Sequence, residues 1–463
     1  MPGWKLSYRA VHMRSRINPL LTRLRDSDTG KAAGLAVAMI ANNVVGLVTS
    51  VVFARLLSDY GALAALVSYL TILTVFGQAL QVATAREGVL GHLGEGEELL
   101  ATLERWAKTL ALFTIAATVV SLLLRHQIAD LVGVKHQSWA AAAGIPAGCA
   151  YLAVCTLRGA LQGIGDYKSV GLSLIGEAGA RLIAGSILAE IGLGIGGAYV
   201  GSLVAYVAMT AYCATRLYRQ LAGPSYRRWR THSAGRGAFG YGTHVWAAIV
   251  PITALGVVQL LQNVDLITAK HQFSDRVATS YAVAAVAAKV LIWVAMGASF
   301  YLVPETSRRH SAGEDTRPVL ARALAIIGVC AIPCLLIFAF AAHPLLSAVF
   351  GKNKAIASDA LLPLGAAFTA LAATYLAVQY MLALKRVWFL GVIALVAVLE
   401  PILLLHASKH PASFAGVVLI VQLIGAALAY GIALFARPPA PVQPAAGSSG
   451  GVVPGLEEAE LLL

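Results

Sequence analysis

A chain of 463 residues is long enough for several soluble domains, yet 58% of it is hydrophobic and only 12% charged, about half the charged share of ordinary globular proteins. A mean hydropathy of +0.75 and recurrent apolar runs of about twenty residues place it among membrane proteins instead. The net charge of +13 would suit nucleic acid, but the basic residues gather in alternate loops, which argues for a lipid bilayer and against a nucleic-acid partner.

Residues 1–32 form a basic tail with Lys5, Arg9, Arg14, Arg16, Arg23, Arg25 and Lys31. A secretory signal peptide would reach its apolar segment sooner, so the tail reads as cytoplasmic, with part of it suited to lie on anionic lipid as an amphipathic helix. Apolar runs follow near 33–54, 61–83, 106–124, 139–157, 168–190 and 193–217, and again near 243–268, 278–303, 319–342, 357–383, 387–408 and 413–436. The chain therefore divides into a first six-helix lobe at 33–217, a basic linker at 218–242, a second six-helix lobe at 243–436, and a tail at 437–463 whose Pro/Ala/Gly/Ser composition predicts disorder. With the N-terminus inside, the cytoplasmic segments carry about three Lys or Arg for each one outside, which predicts both termini cytoplasmic. Arg55, at the outer end of the first run, is expected to snorkel to the interface.

Three segments resemble a known family. NVDLITAKHQFSD at 263–275, SYAVAAVAAKVL at 280–291 and MGASFYLVPETSRR at 296–309 look like its seventh and eighth helices. FARLLSDYGALAALVSYLTIL at 53–73 looks like its first outer turn. The stretch 158–201 looks like its fourth-to-fifth helix link and its fifth and sixth helices, with Arg158, Gly159, Gln162, Gly163 and Tyr167 matching the short cytoplasmic turn. The family is that of the Wzx-type polysaccharide flippases of the multidrug/oligosaccharidyl-lipid/polysaccharide exporter superfamily. The resemblance implies an all-α fold of about twelve transmembrane helices, in two six-helix lobes related by a pseudo-twofold axis and working by alternating access. It implies an undecaprenyl-pyrophosphate-linked oligosaccharide as substrate, the bacterial inner membrane as location, and a glycan polymerase or glycosyltransferase complex as a partner. Two departures stand out. The two additional C-terminal helices of peptidoglycan-precursor flippases do not follow residue 436, and the first helix has Asn42 and Asn43 where drug exporters often carry an acid.

Moving a lipid-linked sugar calls for cations to hold the pyrophosphate and amides to hold the sugar. Arg181 and Lys289, each near the middle of an apolar run and one per lobe, are the candidate phosphate contacts. Against this, Glu177 one turn before Arg181 could neutralise it as a structural pair, and Asp265 or Glu400 could neutralise Lys289. The amides Asn42, Asn43, Gln78, Gln259 and Gln262 are candidate cavity lining, or else interhelical glue. Asp265, Glu400 and Glu177 are candidate coupling sites that gain and lose H+ or Na+, or else charge balance. The five cysteines sit in apolar runs and read as small hydrophobes. The GLGIGG at 192–197 has no flanking strand or Lys-Ser/Thr and is no phosphate loop, and the histidines lack zinc spacing. No metal, cofactor or enzymatic domain is expected. The readings left open are the flippase, an ion-coupled exporter of drugs or other small molecules, a membrane glycosyltransferase, and an assembly partner of a glycan synthase.

Overall fold

The structure, a computed structural model, describes residues 28–89, 91–94, 96–222, 249–384 and 386–435. The basic N-terminal tail, most of the 218–242 linker and the C-terminal tail lie outside these residues, and with them the expectations of an amphipathic helix and a disordered end. The described residues are almost wholly helical and contain no strand. Hydrocarbon offers backbone groups no partner, so a spanning segment must satisfy its hydrogen bonds within itself.

The first half of the chain contributes α1 (Asp28–Leu56), α2 (Tyr60–Val89), α3 (Glu97–Leu123), the short α4 (Arg125–Val132), α5 (Ser138–Gly163), α6 (Tyr167–Leu188) and α7 (Gly194–Leu221). The second half contributes α8 (Ile249–Gln272), α9 (Asp275–Ala288), α10 (Val290–Ser311), α11 (Arg317–Phe350), α12 (Leu361–Ala383), α13 (Phe389–Leu405) and α14 (Pro411–Phe435). Among the described residues, ten stretches are long and apolar enough to cross a bilayer. One of them, Tyr167–Leu221, is folded into the two helices α6 and α7, and the 17-residue α13 adds a shorter apolar pass. That gives twelve passes, the number the apolar runs predict.

Helices within each half pack mainly on one another: α2 on α5, α6 on α7 and α1 on α6 in the first, and α12 on α10, α11 and α14 in the second. The two sets meet chiefly where α2 packs against α8 and α9. Three departures from straight helices have local causes. A one-turn π-helix at Ala189–Leu193 ends α6, and Gly192 there has φ 105°, a conformation that only glycine adopts without cost. The α6–α7 hairpin that follows is tight: a Cβ at Gly201 would lie 2.5 Å from the Gly185 backbone, so small residues let the helices touch. In α11 the helix kinks at Ala341, inside the turn where Pro344 cannot donate to a carbonyl. The third break is at Lys289, which separates α9 from α10.

The polar contacts found between the two sets cluster at one end, the end predicted to face outward. Arg55, at the C-terminus of α1, donates to the Ala348 and Val349 carbonyls at the C-terminus of α11, at 2.8 and 3.0 Å. Lys354, just beyond α11, donates in return to the Ala54 and Leu57 carbonyls that end α1. The last carbonyls of a helix have no partner inside it and carry partial negative charge, so each cation caps the helix of the other set. Arg55 is thus a cross-set cap and not the interfacial snorkel expected of it, because a helix end lies within its reach. Beside this clasp, Lys270 of α8 binds Asp59 and Asp275, each at 2.7 Å, and the Gly61 amide donates to the Thr279 hydroxyl at 3.0 Å. His271 bonds the Leu131 carbonyl at 2.9 Å. Burial pushes the Lys354 ammonium below its usual range, a shift that Asp59 partly opposes.

Two outcomes follow. Arg55→Ala with Lys354→Ala should loosen this end, so that a cysteine placed at Ser58 reacts several-fold faster with a charged maleimide, while the variant still elutes as a folded monodisperse species. Gly201→Val should fail to yield monodisperse protein, since neither α6 nor α7 can retreat without losing the close contact at Gly185.

Candidate functional site

Each half of the bundle carries one buried polar cluster. In the first, α6 presents Glu177 toward α5. Its two carboxylate oxygens are held separately, Oε2 by Arg158 at 2.9 Å and Oε1 by Arg181 at 2.5 Å. The Arg158 side chain is 0% exposed, and it also donates to the Ser173 hydroxyl at 2.7 Å and carbonyl at 2.8 Å. Arg181 is 28% exposed and lies 5.7 Å from the centre of the Tyr206 ring, which itself packs edge-on against Tyr151. Two guanidiniums share one carboxylate, so the cluster carries one positive charge in excess. Arg158 uses its donors on protein groups. The Arg181 side chain is partly exposed, although its Nε is buried without a hydrogen-bond partner.

The sequence expectation placed Arg158 in a cytoplasmic turn. It is instead inside α5, which runs on to Gly163 and carries the arginine into the packed set. The apolar character of the Ala160–Leu161 stretch beyond it was the available signal. Glu177, expected either to neutralise Arg181 or to couple ions, does the former and more. Arg158 is the residue the sequence reading missed.

In the second half, α8 gathers the polar groups. Lys289, 8% exposed at the α9–α10 break, donates to the Asn263 side-chain oxygen at 3.1 Å and lies 5.6 Å from the centre of the Phe368 ring. Asn263 in turn donates to the Gln259 carbonyl one turn back at 2.9 Å. The expected partners of Lys289 are otherwise engaged. Asp265 accepts from the Tyr281 hydroxyl at 3.3 Å through one oxygen, and its other oxygen is buried with no hydrogen-bond partner. Glu400, from α13, accepts from the Gln422 amide at 3.2 and 3.0 Å, and that amide also reaches the Leu261 carbonyl at 3.2 Å. Both carboxylates are 0% exposed. Among the described residues Lys289 makes no salt bridge: its hydrogen-bond partner is a neutral amide, and Asp265 is the carboxylate that acts on it electrostatically.

Gln259 and Gln262 are buried on α8, and the Gln262 side-chain oxygen is without a partner. Asn42 and Asn43 on α1 and Gln78 on α2 are half-buried. Cys149, Cys155 and Cys213 are buried as expected, while Cys330 and Cys334 are half-buried. No cluster among the described residues could hold a metal ion.

No family model and no curated relative matches the sequence. Solved structures do match. The chain superposes on the lipid II flippase MurJ in an inward closed conformation with a TM-score of 0.63 at 16% identity, covering 86% of each chain. An inward-facing multidrug resistance MATE family transporter of the MOP superfamily gives a TM-score of 0.61 at 13% identity, over 86% of this chain and 93% of that one. A MOP superfamily transporter from Pyrococcus furiosus gives 0.56 at 15% identity, over 89% and 96%. The fold is that of the MOP superfamily transporters. All three are described as transporters or flippases. At these identities the MOP likeness fixes the fold and leaves the cargo open.

Removing one partner of a buried charge network strands the others. Arg158→Ala should therefore lower thermal unfolding stability by about 3–5 kcal/mol, and the double variant Arg158→Ala with Glu177→Ala should recover part of that loss. Arg181→Ala, at the exposed edge of the same network, should cost less than Arg158→Ala in the same melt.

Proposed function

We propose that this protein is an alternating-access flippase that moves an undecaprenyl-pyrophosphate-linked oligosaccharide from the inner to the outer leaflet of a bacterial inner membrane, with both termini cytoplasmic. The observation that carries the reading is the surplus cation at mid-membrane depth: Arg181, tethered by Glu177 yet 28% exposed, in a cluster with two arginines to one acid. A guanidinium held in this way presents a fixed fork to a phosphate oxygen. Lys289 offers a second, point-like cation in the other half, bonded only to a neutral amide. The resemblance of segments 53–73, 158–201 and 263–309 to Wzx-type flippases supports the same substrate class. The contacts that close the predicted outer end support entry of the lipid from the cytoplasmic side, where it would be assembled. A glycan polymerase or glycosyltransferase would then act as a neighbour in the membrane.

Asp265 and Glu400 fit the coupling role. They are buried carboxylates that make no salt bridge among the described residues, and buried acids inside a membrane bundle mark ion pathways. The same pair favours a second reading, an ion-coupled exporter of cationic small molecules, because an acidic pocket attracts cations.

Reconstitution separates the two. In proteoliposomes, protein-dependent translocation of a fluorescent undecaprenyl-pyrophosphate oligosaccharide should fall at least ten-fold in Arg181→Ala and in Lys289→Ala, with both variants folded. Translocation unaffected by either variant would remove these residues from the site. Efflux of cationic dyes in place of lipid translocation would establish the exporter.

A further inference from the structure

A groove of about 450 Å³ runs along the first helical set between α3, α5 and α7. Its walls are apolar, with Leu100 and Trp106 of α3, Leu157 of α5 and Leu217 of α7. Among the described residues the one charge that lines it is Glu104. Glu97 stands seven residues earlier on α3, two turns back on the same stripe and about 10 Å away. Both glutamates are half-buried. The helix dipole accounts for an acid in the first turn, but Glu104 is two turns in, where the dipole no longer favours one. The groove therefore suits an occupant with an apolar face and a cationic flank.

Three observations name that occupant. The first is pattern. Residues 4–17, WKLSYRAVHMRSRI, precede α1. At helical spacing Leu6, Ala10, Met13 and Ile17 fall on one stripe, and Lys5, Arg9 and Arg16 fall on the stripe beside it. Arg9 and Arg16 are seven residues apart, as are Glu97 and Glu104. On two neighbouring helices both cations meet both acids in a single register.

The second is reach. Leu35 of α1 packs against the cluster that backs the groove, which includes Leu99, Leu103, Val154 and Leu217. Helix α1 begins at Asp28, about 10 Å along the helix from that contact. Pro19 disfavours helix at residue 18 and so marks off residues 4–17 as a unit. Residues 18–27 can span up to about 33 Å, enough to bring that unit to the groove.

The third is depth. The apolar run on α3 begins near residue 106, so Glu97 and Glu104 belong to the headgroup region of the leaflet predicted to be cytoplasmic. Residues 1–32 are predicted to lie on that same side. Cations paired there stay out of hydrocarbon.

We propose that residues 4–17 dock in this groove as a helix. Leu6, Ala10, Met13 and Ile17 lie on the leucine cluster, and Arg9 and Arg16 each pair with one of the two glutamates. The acids attract these cations and repel an anionic lipid that would compete for the same apolar walls. Docking makes the basic tail part of the first helical set, whichever cargo the protein moves.

Photocrosslinking tests it on the full chain in vesicles of phosphatidylglycerol and phosphatidylcholine. Benzoylphenylalanine replaces Ala107, an exposed lining residue, and adducts are located by peptide mass. They should fall within residues 4–17 of the same chain. Arg9→Glu with Arg16→Glu leaves every residue of the groove unchanged and should cut their yield several-fold. Adding Glu97→Arg with Glu104→Arg should restore the yield in monodisperse protein. Benzoylphenylalanine at Leu123, 74% exposed at the far end of α3, should give no tail adduct. Adducts at position 107 to lipid alone, to the linker 218–242 or to a second copy of the chain would each overturn the proposal. So would a yield that the Arg9 and Arg16 exchange leaves unmoved.

Discussion

Glu177 is the residue on which the first half of the bundle depends. A lone carboxylate at that depth would be prohibitive, and a lone arginine on α5 equally so. Together with Arg181 they form a network in which α5 and α6 are joined by charge where apolar packing alone would let them slide. The arrangement also fixes the guanidinium of Arg181 in place. Its rotameric freedom is lost on folding, so a ligand would meet a preorganised group. The second half uses a different logic. Its acids sit on amides and a phenol, and its lysine sits on an amide, so the charges stay near one another without annihilating. The two halves share a fold and differ in electrostatic character: one is clamped, the other poised.

Much of the architecture was legible from the chain. Apolar runs of spanning length specify helices almost by themselves, because the bilayer permits little else. The twelve passes followed from those runs, although α13 is short and Tyr167–Leu221 reads as one apolar stretch until Gly192 turns it. Arg181 with Glu177 was legible too, since residues four apart on a helix must meet. Contacts between helices distant in sequence were not. Arg158 and Glu177 lie on different helices, and nothing in the order of residues says which face of α5 turns inward. Arg55 was misread for the same reason: the carbonyls it caps belong to a helix nearly three hundred positions away. Helix phase is a tertiary property, and membrane helices apolar on all sides give little amphipathic signal to set it.

The end of the bundle closed by Arg55 and Lys354 shows how a helical bundle can seal a face with few residues. Helix termini supply acceptors at no cost in added side chains, and a cation next to one helix end is already placed to reach another. The glycine contact between α6 and α7 serves the opposite purpose, binding two helices so closely that they travel as one. Seals that can open and pairs that cannot are both needed if one set is to rock against the other.

The interruption at Lys289 has a mechanical meaning. Helix α10 extends from it for 22 residues, roughly 33 Å at helical rise. A turn of about 10° at Lys289 would sweep the far tip of an α-helix this long through about 6 Å, so a small adjustment at one buried side chain would be felt at the far end of α10.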